Sequence, residues 1–380
     1  MGSTNNFDIV FKRNNVRAGL LGLSNTSFGT NALINVTTGI DNTALGQGVL
    51  RNTTTTSYNV GIGSNALRFN TSNGNVGIGF EALTSMTTND NYPNTAIGRG
   101  SLRNNTTGNS NSAIGDQALF ANTTGVSNSA LGTYALFANT TGVANNAMGY
   151  NSMLSNTTGF RNVALGNAAL YNNISGSYNT AVGNNAFQIG ANYSNSTALG
   201  YNTVITASDQ ARIGNNAVTS IGGQVGWTTV SDARFKNENV QKVPGIDFIK
   251  KLRPVTYFVN YNAMNSFTGA NKQNASNEHS STSNGANDYQ PNYQKTLESG
   301  FMAQEVEQAA KELGYEFNGV DAPKSNGDYY GLRYAMFVVP LVKAVQELDE
   351  KLEQKELENK TLKLLLLELE ARISKLEKRG

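Results

Sequence analysis

Residues 105–159 read NTTGNSNSAIGDQALF, ANTTGVSNSALGTYALF, ANTTGVANNAMGYNSML and SNTTG in succession. The text restarts every 17 residues, and a period of that length marks a repeat architecture in which each unit stacks on the last. In both directions an aliphatic–glycine pair keeps the phase, as in Leu45-Gly46, Ile62-Gly63, Leu165-Gly166 and Val182-Gly183. Its glycines run from Gly29 through Gly46, Gly63, Gly79, Gly98, Gly115, Gly132, Gly149, Gly166, Gly183 and Gly200 to Gly214. Most steps are 17 residues, with 16 and 19 around Gly79 and 14 at the end. An Asn precedes most of these glycines by four residues, from Asn42 to Asn179, and an apolar side chain follows by four, from Leu33 to Val218.

Each unit therefore holds one short strand, N-x-A-L-G in outline, and one turn, Asn-Thr-Thr-Gly. Gly in the strand permits a bend or a backbone approach that any Cβ would block. Gly in the turn is expected at positive φ. Stacking sets each Asn above the last, so side-chain amides can bond in a ladder. About three apolar side chains per coil make a thin stripe for one chain to bury. This predicts that several chains, most simply three around an axis, share the core; the alternative is a lone polar solenoid. Disorder, the other reading of Asn- and Thr-rich text, is opposed by the regular phase of the aliphatic positions.

Composition steps sharply after the array. Residues 1–230 carry 15 charged side chains and residues 231–380 carry 41, which places a boundary between Gly226 and Ser231. With 29 basic and 27 acidic residues, no global field selects nucleic acid or an anionic membrane. The lack of cysteine excludes a disulfide framework, a thiolate zinc site and a cysteine nucleophile, and a single His, His279, excludes His-pair metal motifs. No cofactor and no metal is expected. Met1–Val10 has no secretory-signal layout and no apolar run nears the roughly 20 residues of a membrane span, so no membrane insertion is expected.

The second part carries separate motifs: Ser231-Asp232-Ala233-Arg234-Phe235-Lys236, then Leu252-Arg253-Pro254-Val255-Thr256-Tyr257, then Gly300-Phe301-Met302-Ala303-Gln304-Glu305-Val306-Glu307, and Tyr330-Gly331-Leu332-Arg333-Tyr334. In order and wording these resemble the peptidase S74 family, the intramolecular chaperone domain of phage tail spikes and tail fibres, over residues 231–355. The repeats of about residues 25–220 resemble the head repeats of trimeric autotransporter adhesins, which form a left-handed parallel β-roll. Their N-x-x-A-I-G unit is shorter than the one here. The expected architecture is a mainly β repeat shaft, a trimeric parallel β-roll or β-helix, followed by an α+β chaperone domain ending in a long coiled-coil helix. Its parts are an N-terminal cap or attachment segment (1–24), the shaft (25–226), the chaperone domain (231–355) and the coiled coil (340–380).

The S74 resemblance implies self-cleavage by a Ser–Lys dyad, with Ser231 as nucleophile and Lys236 as base. A Lys works as a base only when neutral, and burial favours that state. Five residues apart, the two side chains face poorly aligned directions on a strand or a helix, so they meet only across a turn or between neighbouring chains. Asp232 and Arg234 are expected to orient the site. The polar stretch between Tyr261 and Ser299, which holds His279 as a solvated bystander, reads as a mobile surface excursion. Leu341, Val345, Leu348, Leu352, Leu362, Leu366, Leu369, Ile373 and Leu376 keep a 4-3 spacing, interrupted by Lys355 and Asn359, which indicates a coiled coil. An amphipathic helix packed on its own domain is the alternative.

Together these readings imply a homotrimeric tail fibre or tailspike-type shaft of a virion that meets a host-surface receptor, glycan or protein. A bacterial cell-surface adhesin with the same releasable chaperone is the alternative, which an export signal would favour. Glycan hydrolysis is disfavoured, because the shaft's carboxylates, Asp8, Asp41, Glu81, Asp90, Asp116 and Asp209, are scattered over different coils. Nucleic-acid binding is disfavoured by the lack of a basic cluster in the first part.

Overall fold

Each repeat folds as one coil around a three-residue strand, whose central Ala turns inward while its neighbours turn outward, the alternation of any strand. The computed structural model describes residues 8–88, 92–188, 192–236, 242–269 and 297–377. It opens with an antiparallel hairpin, β1 (Ile9–Arg13) and β2 (Val16–Leu21). Strand β2 pairs antiparallel with β3 (Thr26–Phe28). From β3 to β14 (Ala211–Ile213) each strand pairs parallel with the next in chain order, Ala130 beside Ala147 beside Ala164. The result is a β-solenoid of about 11 turns. Its first coil is covered by the hairpin, where the Arg17 guanidinium donates to the carbonyls of Ala32 and Leu33.

A single chain closes each coil over its own core, which corrects the expectation of a core shared between chains. Ala113, Ala118 and Leu119 are fully buried, and the Leu column stays buried from Leu33 to Phe187. Closure comes from left-handed backbone that the repeat text does not advertise. Within one coil φ is +131° at Gly98, +64° at Gly100 and +49° at Leu102. A left-handed Leu costs about 1–2 kcal/mol, and its full burial returns about 1.5–3 kcal/mol. In the last coils the column ends: Ile205 is buried beside a half-buried Val204, Val218 is exposed, and Arg212 takes the register position that Ala198 holds one strand earlier. A charged residue at an inward position stops further stacking.

The expected Asn ladder is present and buried. The backbone N–H and Nδ2 of Asn128 both donate to Asn111 Oδ1, at 2.9 and 3.2 Å, and Asn145 repeats this on Asn128 at 3.0 and 3.2 Å. A second ladder runs through the Asn-Thr-Thr-Gly turns, Asn122 Nδ2 donating to Asn105 Oδ1 at 2.7 Å and Asn139 to Asn122 at 2.8 Å. The turn glycine is there for space rather than for positive φ. A Cβ on Gly108 would lie 2.3 Å from Gly125 O and 2.4 Å from Asn105 Oδ1.

Among the described residues the chain divides into two units: one runs to Gly222 and includes α2 (Tyr261–Thr268), and the other takes Gly223–Asn260 and the chain from Leu297 onward. Asn216 Nδ2 donates to Asn265 Oδ1 of α2 at 2.7 Å within the first unit. Helix α2 thus corrects part of the expected mobile excursion; His279 and residues 270–296 lie outside the described residues. The second unit comprises α1 (Ile246–Ile249), β15 (Val255–Phe258), β16 (Leu297–Gly300), α3 (Ala303–Glu312), β17 (Val320–Asp321), β18 (Gly331–Leu332) and the 40-residue α4 (Val338–Glu377). Strands β15 and β16 pair antiparallel, as do β17 and β18. Phe248, Val306, Phe317 and Phe337 form its core. The start of α4 packs on α1, where the Ile246 N–H donates to Glu347 Oε2 at 2.8 Å. Beyond that contact its Leu and Ile residues are exposed.

Candidate active site

Seventeen residues after Gly214, the chain reaches Ser231 and makes a one-turn 3-10 helix, Ala233–Phe235. Asp232 starts the turn as its N-cap, its carboxylate accepting the Arg234 N–H at 2.9 Å. The Arg234 guanidinium grips the same carboxylate, with Nη2 at 2.7 Å from Oδ2 and Nε at 3.1 Å from both oxygens. That hydrogen bonding holds the Asp232 carboxyl below the ordinary carboxylate range. The Lys236 N–H closes the turn on Ala233 O.

The turn carries Lys236 back to Ser231, and Lys236 Nζ donates to Ser231 Oγ at 2.8 Å. Of the two ways these side chains can meet, one chain uses the turn. Both residues are exposed, so a single chain does not supply the burial that a lysine base requires. Asp232 and Arg234 shape the turn and hydrogen-bond to each other, while Lys236 Nζ donates to Ser231, which suits an orienting role for the first two. Among the described residues no cluster of three or more His, Cys, Asp or Glu is placed to hold a metal ion.

The remaining motifs staple the second unit together. Arg253, just before β15, pairs through two nitrogens with the carboxylate of Glu305 on α3. Lys251 reaches Glu312 at the other end of that helix, at 2.6 Å. Tyr330 OH donates to Glu307 Oε2 at 3.1 Å, and the Phe301 N–H donates to Tyr334 OH at 3.2 Å. The Phe301 ring stacks on Phe337 at 5.3 Å, and Phe337 meets Phe317 edge-on at 4.9 Å. The sequence text alone did not reveal Glu347, whose grip on α1 joins residues 101 positions apart.

A parallel β-solenoid, then a small α/β unit opening on a Ser–Lys turn and closing on a long helix, defines a shaft with a folded C-terminal module. Residues 231–315 match the family model Peptidase_S74, described as the chaperone of endosialidase. The match begins at Ser231 itself. No curated protein and no solved structure matches the chain. An S74 chaperone domain behind a β-solenoid fits a tailspike- or fibre-like protein, and the family's name is that of a peptidase.

Proposed function

We propose that this chain is a homotrimeric tail-fibre or tailspike-type shaft for host attachment, whose C-terminal domain drives trimerisation and is then released by self-cleavage at Ser231. The observation that carries the reading is the 2.8 Å contact between Lys236 Nζ and Ser231 Oγ at the first residues of the S74 match. In the reaction the contact reverses: a neutral Lys236 accepts the Ser231 proton while Oγ attacks a carbonyl beside it. Lys236 then returns the proton to the departing backbone nitrogen, and water frees the ester. Packing against other chains supplies the burial that leaves Lys236 neutral, which ties the cut to assembly.

A parallel solenoid relies on contacts between successive coils, and its open edges aggregate if it winds slowly. A helix forms from local contacts and aligns the chains first. Severing the module afterwards makes the assembly effectively one-way. The partners are two further copies and a glycan or protein on the host surface, and the location is the virion.

Wild type, Ser231→Ala and Lys236→Ala, compared on denaturing gels with intact mass, test the reading. Wild type yields pieces of about 230 and 150 residues, and both variants stay whole. A whole wild-type chain ends the protease assignment; variants that cut like wild type end the dyad.

A further inference from the structure

The sequence holds four Asn-Gly pairs: Asn73-Gly74, Asn284-Gly285, Asn318-Gly319 and Asn326-Gly327. Such a pair has a chemistry of its own, because no Cβ on the glycine shields its backbone nitrogen from the asparagine side chain. Ring closure needs a chain free to bring that nitrogen onto Cγ, so local opening decides which pair reacts. Asn284-Gly285 lies outside the described residues. In the shaft, Asn73 Oδ1 accepts the Ser57 N–H at 2.8 Å and the Gly74 N–H donates to Ser57 O at 3.1 Å, which pins both reacting groups to the preceding coil. Asn318-Gly319 leads into β17 and is clamped by Arg333, whose guanidinium donates to Asn318 O and whose N–H donates to Gly319 O, each at 2.8 Å. Gly319 is also buried against the Phe317 ring.

Asn326-Gly327 is held by none of these devices. It lies in the connection from β17 to β18, Asn326 is exposed, and a Cβ on Gly327 would meet nothing within 4 Å. The Gly327 N–H donates to Ser325 Oγ at 3.3 Å, a side chain of the same turn. Asp328 closes that turn: its N–H donates to Ser325 O at 3.1 Å, and its carboxylate, in a residue only 6% exposed, accepts the Lys324 N–H at 3.0 Å. We propose that Asn326 is a self-modification site, which deamidates through the Gly327 nitrogen and loosens the β17–β18 connection as the protein ages. Solvent base takes the Gly327 N–H proton, the nitrogen attacks Asn326 Cγ, and the Cγ–Nδ2 bond breaks as ammonia leaves with a proton from water. Water then opens the cyclic imide at either carbonyl, leaving aspartate or, with the main chain rerouted through Cγ, isoaspartate. The balance is amide plus water to carboxylate plus ammonium, with nothing oxidised or reduced. The new carboxylate stands two residues from that of Asp328, and like charges there oppose the closed turn.

Full-length protein is aged at body temperature in mildly alkaline buffer made with heavy-oxygen water, then mapped by peptide mass and isoaspartate labelling. The map reads the same residues in a whole or a self-cut chain, so the result is independent of the cleavage reading. The Asn326 peptide is expected to become the acid, to carry heavy oxygen and to contain isoaspartate, while the Asn73 and Asn318 peptides stay amides. In urea all three are expected to convert. Gly327→Ala, for which the fold has room, is expected to keep Asn326 as the amide. Hydrogen exchange in the β17 and β18 peptides should quicken in aged wild type and not in aged Gly327→Ala. An Asn326 that converts in urea but not in the folded chain overturns the site. Equal conversion of all three pairs in the folded chain overturns the selection by the fold, and conversion with unchanged exchange overturns the loosening.

Discussion

The Asp232 carboxylate accepts both the backbone N–H and the guanidinium of Arg234, and the turn so capped sets Lys236 Nζ 2.8 Å from Ser231 Oγ. Asp232→Ala removes the cap and leaves both reacting groups in place. Self-cleavage is expected to slow by about ten- to a hundredfold, the usual effect of small misplacement, without being abolished. Asp232→Asn, which still accepts from the Arg234 N–H, should lose less. Time courses on denaturing gels read the difference.

The same pair sets a pH dependence. Arg234 holds the Asp232 carboxyl below its ordinary range, so its contribution to the turn is complete above the unfolded value and lost only as pH falls through the depressed one. The coupling of Asp232 to Arg234 should therefore survive mild acid. Carboxyl chemical shifts of Asp232 followed through an acid titration of Ser231→Ala protein check this; titration at or above the ordinary value would refute it.

Lys236→Arg separates a proton-accepting lysine from a merely positive one. Arginine keeps the charge and hydrogen-bonding reach but stays protonated in proteins. Cleavage is expected to stop as fully as in Lys236→Ala, while the fold measured by circular dichroism is unchanged. Cleavage retained by Lys236→Arg would assign Lys236 a positioning role.

Asn128→Ala breaks one buried ladder at its middle. Asn111 Oδ1 loses the Nδ2 donor and keeps the backbone N–H of residue 128, Gly142 O loses the Asn128 Nδ2 donor, and the Asn145 N–H and Nδ2 lose the Asn128 Oδ1 acceptor. Each buried group left unsatisfied costs about 1–3 kcal/mol. The denaturation midpoint of the shaft should fall clearly, whereas Thr124→Ala, at an exposed turn position, should leave it nearly unchanged.

Gly98→Ala meets two obstacles at once. Its φ is +131°, and a Cβ there would lie 2.2 Å from the carbonyl oxygen of Gly115 in the next coil. The strain outweighs the gain of up to about 1 kcal/mol that Gly-to-Ala brings at a compatible site, because backbone rather than a side chain must move. Loss of soluble shaft is expected on expression. Gly226→Ala, with nothing within 4 Å of its would-be Cβ, should express as wild type.

Much of this was readable in the residues. The 17-residue phase set the coils, and the Asn four residues before most of the strand glycines is the buried ladder of the structure. The Asn-Thr-Thr-Gly segment was read as a turn, and its Asn proved to be a second ladder. Turn propensity speaks of one chain segment, whereas a ladder exists only between coils. Tyr261–Thr268 hid its helix because its residues, taken alone, are those of a polar loop. At the site the family resemblance named Ser231 and Lys236, and their spacing left a turn or a neighbouring chain as the meeting place; the capped 3-10 turn supplies the first.

By itself the sequence determined that coils would stack and that a long helix follows, because periodicity is a property of the chain. Only the tertiary structure decided that each coil buries its own Leu, since that depends on left-handed backbone at the Gly100 and Leu102 positions, the first of which carries Gly, Asn, Glu, Gln, Tyr or Ala from coil to coil. It also decided that Leu45 and its equivalents face outward while Ala44 faces in. Which side of a three-residue strand is inside is set by how the coil closes, and closure is a relation between residues that the linear text does not hold.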